Sequence, residues 1–117
     1  MSSTDEKLMK LVARLNEKSS NGEVPWEPDA VDDAKFLASF PGYSVAIAKR
    51  DRRGGPPVHT FSILDGSGNA IESVSISEDS YLDYWPDANR DLSGLFHLAR
   101  RKALDVEQAL DNLLKAL

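Results

Sequence analysis

The C-terminal run of the chain, residues 91–117, is the feature that most restricts its fold. Apolar residues recur there at alternating steps of four and three, at Leu92, Phe96, Ala99, Ala103, Val106, Leu110, Leu113 and Leu117. Residues at this spacing share one side of a helix. The run therefore predicts helical structure whose apolar side covers the interior of the domain.

The flanks of this apolar stripe indicate what it packs against. Half of the flanking positions are apolar, whereas a two-helix coiled coil needs charged residues beside its seam. The pattern therefore favours packing across a sheet. A single helix would be about 40 Å long, so we expect a bend at Asp105, which could cap a second segment together with Gln108. The pattern leaves open whether residues 91–117 form one helix or two.

The N-terminal residues 3–19 predict another helix. Ser3 and Glu6 have the spacing of a capping box, and the segment SSNG at 19–22 ends the helical pattern. Its apolar residues follow the helical period, at Leu8, Leu11, Val12 and Leu15.

From Lys35 onward apolar residues alternate, which indicates strands. Two alternating runs on either side of Pro41-Gly42 predict a hairpin, and strands at 58–64 and 70–77 follow, joined by the turn DGSGN at 65–69. The segment 49–57 predicts a loop, because its glycines and prolines would interrupt a ladder. Each connection is too short for a parallel crossover.

These elements predict a single α+β domain over residues 1–117. An N-terminal helix precedes a four-stranded antiparallel meander, and the long or kinked C-terminal helix packs on one face of that sheet. The other face should be wetter, because it collects small hydroxyl side chains, at Ser44, Thr60, Ser62, Ser73 and Ser75.

Composition excludes several kinds of function. The chain of 117 residues has no cysteine, which removes disulfides, thiolate metal sites and thiol nucleophiles. Its net charge of -5 disfavours nonspecific binding to nucleic acid. No apolar run approaches the length of a membrane span, and the polar start lacks the pattern of a signal peptide, so we expect a cytoplasmic protein without membrane contact.

Histidines and carboxylates form no recognisable catalytic or metal constellation. His59 alternates with Phe61 on the predicted core face, and His97 lies beside the helical stripe. Carboxylates recur every fourth residue from 79 to 91, but Pro86 interrupts the helix that would align them. We therefore predict no catalytic, cofactor-binding or metal-binding residue.

Two groups of residues are candidates for binding a partner. The basic segment contributes Arg50, Arg52 and Arg53, which could contact phosphates or an acidic surface. The connecting segments contribute four aromatics, Trp26, Tyr81, Tyr84 and Trp85, which either plug the edges of the core or form a sticky surface. The acidic stretch at 78–90 could also pair with the basic segment of a second copy.

The chain also resembles a group of small bacterial domains without assigned function. The likeness rests on the N-terminal helix, Trp26-Glu27 in an extended linker, the meander, and the ending LFHLARRKALDVEQALDNLLKAL. It implies a bacterial cytosolic α+β protein and transfers no active site.

The sequence thus predicts a small noncatalytic module that binds a protein partner or itself, in the second case as a homodimer. Two other functions stay open. One is a nucleic-acid accessory role through the basic segment at 49–53, and the other is an enzyme with an unrecognised carboxylate site.

Overall fold

The computed structural model describes residues 2–117, which form three helices and five strands. In chain order these are α1 (Ser3–Ser20), β1 (Glu27–Pro28), β2 (Lys35–Phe40), β3 (Tyr43–Arg52), β4 (Gly55–Asp65), β5 (Ala70–Ser77), α2 (Ala88–Ala103) and α3 (Val106–Ala116). The strands form one antiparallel sheet in the order β1-β2-β3-β4-β5. The predicted α+β class is confirmed, with five strands rather than four.

The additional strand, β1, is only two residues long. Glu27 pairs with Leu37 and Pro28 with Phe36, which places β1 at the edge of the sheet. An edge strand tolerates a proline. Two residues are too few to show alternation, so the sequence pattern did not reveal this strand.

The segment 49–57, predicted as a loop, instead continues the β3–β4 hairpin to a tight turn at Arg53 and Gly54. Arg50 pairs with Val58 and Arg52 with Gly55, with an irregularity in register between them. The prolines are tolerated because β5 pairs with β4 only from Val58 onward. Before Val58, β4 has β3 as its one neighbour, and a proline nitrogen on the open side leaves no ladder bond unmade.

The core lies between one face of the sheet and the helices. Its central row crosses four strands and consists of Phe36, Ile47, Phe61 and Val74. Helix α2 contacts all five strands and buries Leu92, Leu95 and Ala99 completely. Helix α1 packs beside α2, and its side chains at Leu8, Val12 and Leu15 join the same cluster, as predicted.

The helix-free face of the sheet carries the predicted hydroxyl groups. Thr60 and Ser75 are hydrogen-bonded across β4 and β5 at 2.8 Å, and Ser62 and Ser73 at the same distance. In cross-strand pairs of this kind, each hydroxyl group provides a hydrogen-bond partner for the other on a face that borders solvent.

Helix α1 begins at Ser3, as predicted, but its capping residue lies one position earlier than the sequence signal indicates. Ser2, not Ser3, is the N-cap, and its hydroxyl accepts a hydrogen bond from the Asp5 amide at 3.0 Å. At the other end Gly22 has a φ of 73°. Its amide and that of Glu23 donate to the carbonyls of Ser19 and Lys18, which is the Schellman arrangement for ending a helix.

The C-terminal run forms two helices, and the break is at Asp105, as predicted. The predicted mechanism is wrong, because the Asp105 side chain makes no capping bond and Gln108 bonds to Asn112 instead. Asp105 interrupts the helix by adopting left-handed backbone angles, φ 53° and ψ 49°. Aspartate is one of the few residues that visit this region without a large penalty.

The prediction that the whole run covers the core is correct for α2 and wrong for α3, which has no buried residue. Geometry explains the difference. The 16 residues of α2 span about 24 Å, whereas five strands spaced about 4.8 Å apart are about 19 Å across. Helix α2 therefore crosses the entire sheet, and the residues that follow it have no sheet beneath them.

Candidate functional site

Two of the four candidate aromatics lie in the core. Trp26 is 3% exposed and donates its indole N–H to Ser19 Oγ at 2.9 Å. Trp85 is 2% exposed and donates to Asp91 Oδ2 at 2.9 Å. Both rings are packed against apolar neighbours and have their polar atom satisfied. The edge-plugging interpretation, one of the two that the sequence left open, describes their surroundings.

The two tyrosines differ from the tryptophans and from each other. Tyr81 is exposed, whereas Tyr84 is half-buried against the core. Burial raises the pKa of the Tyr84 hydroxyl, and the carboxylates of Asp5 and Glu72 act in the same direction. The four aromatics therefore do not form one exposed surface, and a partner-binding role for them stays a prediction.

The three candidate arginines lie at the far end of the β3–β4 hairpin. Arg52 forms an ion pair with both oxygens of Asp79 at 2.9 Å and donates its Nε–H to the Pro56 carbonyl at 3.0 Å. The Ser77 hydroxyl and Arg52 together hold the pKa of Asp79 below its usual value. The basic and acidic segments, for which pairing between two copies was one hypothesis, thus make this contact within one chain.

The remaining periodic carboxylates are not gathered into one site. Asp87 and Asp91 both contact Arg90, at 3.2 and 3.4 Å. Within residues 2–117 no three histidine, cysteine, aspartate or glutamate side chains lie close enough together to hold a metal ion. Asp65 caps the DGSGN turn by accepting from the amides of Ser67 and Asn69, which confirms the turn prediction.

The apolar side of α3, which was predicted to cover the core, is exposed. Leu110, Leu113 and Leu114 are 55%, 59% and 73% exposed. At 100° per residue, all the apolar residues of α3 fall within one half of its circumference, and Glu107, Asp111 and Lys115 lie in the other half. The sequence signal for this surface was the width of the stripe, which exceeds what a buried seam requires.

A second apolar feature is a groove between α1 and the sheet, with a volume of about 680 Å³. Its walls are mostly apolar and include Leu11, Leu15, Val24, Phe40, Tyr43, Val45 and Ile63. Phe40 and Tyr43 are 42% and 56% exposed at its mouth. The rim is charged, with Arg14, Lys18 and Glu23. No sequence pattern identified this groove, because its walls come from one helix, the segment that follows it and three strands.

No model of a known protein family matches the chain, and comparisons with curated proteins and with solved structures found no significant match. The likeness to small bacterial domains therefore stays a prediction. None of the helices in residues 2–117 combines the length and the hydrophobicity needed to cross a lipid bilayer.

Proposed function

We propose that this chain is a small noncatalytic interaction module that pairs with a second copy of itself through α3. The observation that carries the proposal is that an amphipathic helix of 11 residues has no buried residue. Isolated helices shorter than about 12–15 residues are marginal in water. Fully burying a leucine side chain stabilises by about 1.5–3 kcal/mol. A surface that covers the apolar side of α3 would therefore supply most of the stability of this helix.

The groove beside α1 has the properties of that surface in a second copy. Its apolar walls match the leucines of α3. Arg14 and Lys18 on its rim are positive, and Glu107 and Asp111 border the apolar side of α3. Lys18 already pairs with Glu23 at 3.3 Å. Arg14 has no ion pair within residues 2–117, so it is available to a carboxylate of the second copy.

Reciprocal docking gives the proposed pair a closed symmetry. If α3 of one copy occupies the groove of the other, a two-fold axis places the second α3 in the first groove. Each contact then occurs twice, and two helices and two grooves are covered together. Stable interfaces bury about 1,200–2,000 Å² in total. The proposed pair contains the helix contact twice, which brings its total buried area toward that range.

A single charge placed on α3 tests the proposal. Leu113→Asp puts a carboxylate on the apolar side, whereas Asn112→Asp makes the same charge change on the polar side and is the matched control. Because the dimer contains the contact twice, we expect Leu113→Asp to raise the dimer dissociation constant at least about 100-fold. Sedimentation equilibrium over a range of concentrations measures it. A wild-type chain that stays monomeric at the highest concentrations, or equal effects of both variants, would contradict the proposal.

A charge reversal tests the groove separately from the helix. Arg14→Glu should weaken the pair, because it places a further negative charge beside Glu107 and Asp111. Adding Glu107→Arg should restore part of the loss. Failure of the double variant to recover would mean that α3 binds a surface other than this groove.

Binding to nucleic acid is the second candidate function. Arg50 and Arg53 are exposed and have no ion pair in the described part of the chain, which favours it. Such binding would weaken steeply as the salt concentration rises, and it would be lost in the double variant that carries both Arg50→Gln and Arg53→Gln. The net charge of -5 opposes it.

A bacterial cytoplasmic location, predicted from the sequence, belongs to the proposal and is tested by fractionation of the source cells.

A further inference from the structure

The outer edge of β5 is an open edge of the sheet. No strand of residues 2–117 pairs with β5 on that side. This strand has 8 residues, whereas β1 at the opposite edge has 2. An open edge presents backbone N–H and C=O groups with which another extended chain can pair. Proline and lysine commonly block such an edge, and β5 contains neither.

Two hydrogen bonds identify the backbone groups that face this open edge. The Ser73 amide donates to Glu72 Oε1 at 3.1 Å, and the Ser77 amide donates to Ser80 Oγ at 3.0 Å. In an antiparallel strand, the backbone groups of alternate residues point to the same edge. Ser75 lies between these two residues, so its N–H and C=O groups also point away from β4. Ser75 is exposed, and a strand that approaches from outside can therefore reach them.

The Glu72 carboxylate is a displaceable cap on this edge. Glu72 is exposed, and it has no ion pair within residues 2–117. An incoming strand that accepts from the Ser73 amide takes the place of this carboxylate. The displaced carboxylate is then available to a cation on the same strand. In the absence of such a cation, the cap keeps the edge from pairing indiscriminately.

The charge beside this part of β5 is negative. Burial raises the pKa of the Tyr84 hydroxyl, and the charges of Asp5 and Glu72 raise it further, which places both carboxylates near this phenol. Asp5, like Glu72, has no ion pair in the described residues. Two unpaired carboxylates attract a positively charged chain. The edge of a second copy does not meet this need, because β5 contains neither lysine nor arginine.

We propose that the outer edge of β5 binds an extended, basic peptide segment of another protein, which joins the sheet as an additional strand. Its backbone bonds to the outward groups of Ser73 and Ser75, and its cations pair with Glu72 and Asp5. On the helix-free face, β-branched side chains of the peptide lie beside the small hydroxyl groups of β5. The site is separate from α3 and from the α1 groove, and it does not depend on the proposed self-association.

A synthetic peptide of alternating lysine and valine, as long as β5, is the probe. We expect it to shift the amide resonances of Ser73 and Ser75 in a saturable titration at constant ionic strength. It should also slow hydrogen exchange at the Ser75 amide. The absence of saturable binding would overturn the proposal, as would shifts confined to β2 at the other edge.

Two control peptides separate strand pairing from charge attraction. The same peptide with every peptide bond N-methylated keeps its charges but cannot donate backbone hydrogen bonds. It should bind at least about tenfold more weakly, because several hydrogen bonds to β5 are lost. A peptide of alternating glutamate and valine has the same β propensity at its valines and the opposite charge, and it should not bind measurably. Equal affinity of either control peptide would overturn the assignment.

Substitutions at Ser75 test the edge from the side of the protein. Ser75→Pro and Ser75→Ala both remove the hydroxyl that pairs with Thr60 at 2.8 Å, but only proline also removes the outward N–H group. We expect Ser75→Pro to weaken peptide binding at least about tenfold and Ser75→Ala to leave it within about twofold. A folded Ser75→Pro variant with wild-type affinity would overturn the proposal. Self-association that Ser75→Pro abolishes would assign the edge to a second copy instead.

Substitutions of glutamate test the contribution of charge. Glu72→Gln keeps an acceptor for the Ser73 amide but removes the negative charge, whereas Glu17→Gln makes the same change at an exposed position near the end of α1. We expect Glu72→Gln to weaken peptide binding at least about threefold and Glu17→Gln to leave it unchanged. Equal weakening in both variants would mean that net charge alone attracts the peptide, and it would overturn the site.

Discussion

At the scale of single residues, burial determines the chemistry of His59. The imidazole ring is buried on β4. Burial lowers its pKa from the ordinary value of 6.5, and the positive charge of Lys49 lowers it further. Arg90, His97 and Arg100 of α2 line a surface depression that His59 and Lys49 line from the sheet. The folded state therefore disfavours the imidazolium form, and the unfolded chain takes up the proton first as pH falls.

The first prediction concerns this pH dependence. The contribution of neutral His59 to the free energy of unfolding is complete above pH 6.5 and decreases as pH falls toward the folded-state pKa. We expect the wild type to be less stable to urea at about pH 5.5 than at about pH 7.5. The difference should shrink in His59→Phe and persist in His97→Gln. A wild type equally stable at both pH values would contradict this account.

The second prediction concerns the ion pair between Arg52 and Asp79, which connects the end of the hairpin to the segment after β5. Arg52→Gln should lower the free energy of unfolding modestly, because the pair is exposed, and high salt should diminish the loss. Arg53→Gln, one position further on, removes the same charge without an ion-pair partner in residues 2–117 and is the control. Urea unfolding at low and high salt measures both variants. Equal losses of unfolding free energy in Arg52→Gln and Arg53→Gln would mean that net charge, and not the ion pair, causes the effect.

At the scale of secondary structure, the two C-terminal helices have the same kind of sequence and different surroundings. Leu95 in α2 is fully buried, whereas Leu114 in α3 is 73% exposed. Both positions belong to an amphipathic pattern. Only the presence of the sheet beneath α2 separates a core residue from a surface residue.

The third prediction compares alanine substitutions at these two leucines. Leu95→Ala should destabilise the fold by about 2–5 kcal/mol, because it leaves a cavity under α2. Leu114→Ala should stay within about 0.5 kcal/mol of the wild type in dilute solution. Urea unfolding at concentrations below the dimer dissociation constant measures both. A large loss in Leu114→Ala would mean that α3 packs on the core of its own chain.

The fourth prediction concerns the left-handed residue between these helices. Glycine adopts such angles freely, so Asp105→Gly should preserve the break and raise stability by up to about 1 kcal/mol. Asp105→Val should lower stability, because a β-branched residue is strained at a φ of 53°. Thermal unfolding measures the two changes. If both variants lower stability equally, the Asp105 side chain has a role that its backbone angles do not explain.

At the scale of the whole molecule, the domain is elongated. Its principal extents are 52 × 38 × 27 Å and its radius of gyration is 15.0 Å, whereas a compact chain of this length has a radius near 13 Å. Helix α3, which has no sheet beneath it, contributes to this excess. The shape is that of a compact α+β body, formed by everything before Leu104, with one projecting arm.

The fifth prediction is that the compact body folds without the arm. A chain that ends at Leu104 loses no buried side chain of α3, so its unfolding midpoint should change by only a few degrees. Its amide spectrum should match the wild type over α1, the sheet and most of α2. The truncated chain should also be monomeric at every concentration. Loss of folding would show that α3 supports the body directly.

Local signals in the sequence were sufficient for most of the elements. The turn at Pro41 and Gly42, the alternation of β3 and β4, and the break at Asp105 each depend on a few neighbouring residues, so the sequence indicated them correctly. The continuation of β3 to Arg52 was missed, because the effect of Pro56 and Pro57 depends on how far β5 extends. The strand β1 was missed because two residues carry no period.

The chain by itself determined the class of the fold, because the helical and strand periods depend on which neighbouring side chains must share one face. Tertiary structure decided which apolar faces are covered, since the width of the sheet lets α2 cross it and leaves α3 outside. It also decided that Trp26 and Trp85 belong to the core. Only the folded chain brings His59 of β4 and Asn89 of α2 into the lining of one depression. Residues on a strand and on a helix become neighbours through packing, and this leaves no pattern in the sequence of either segment.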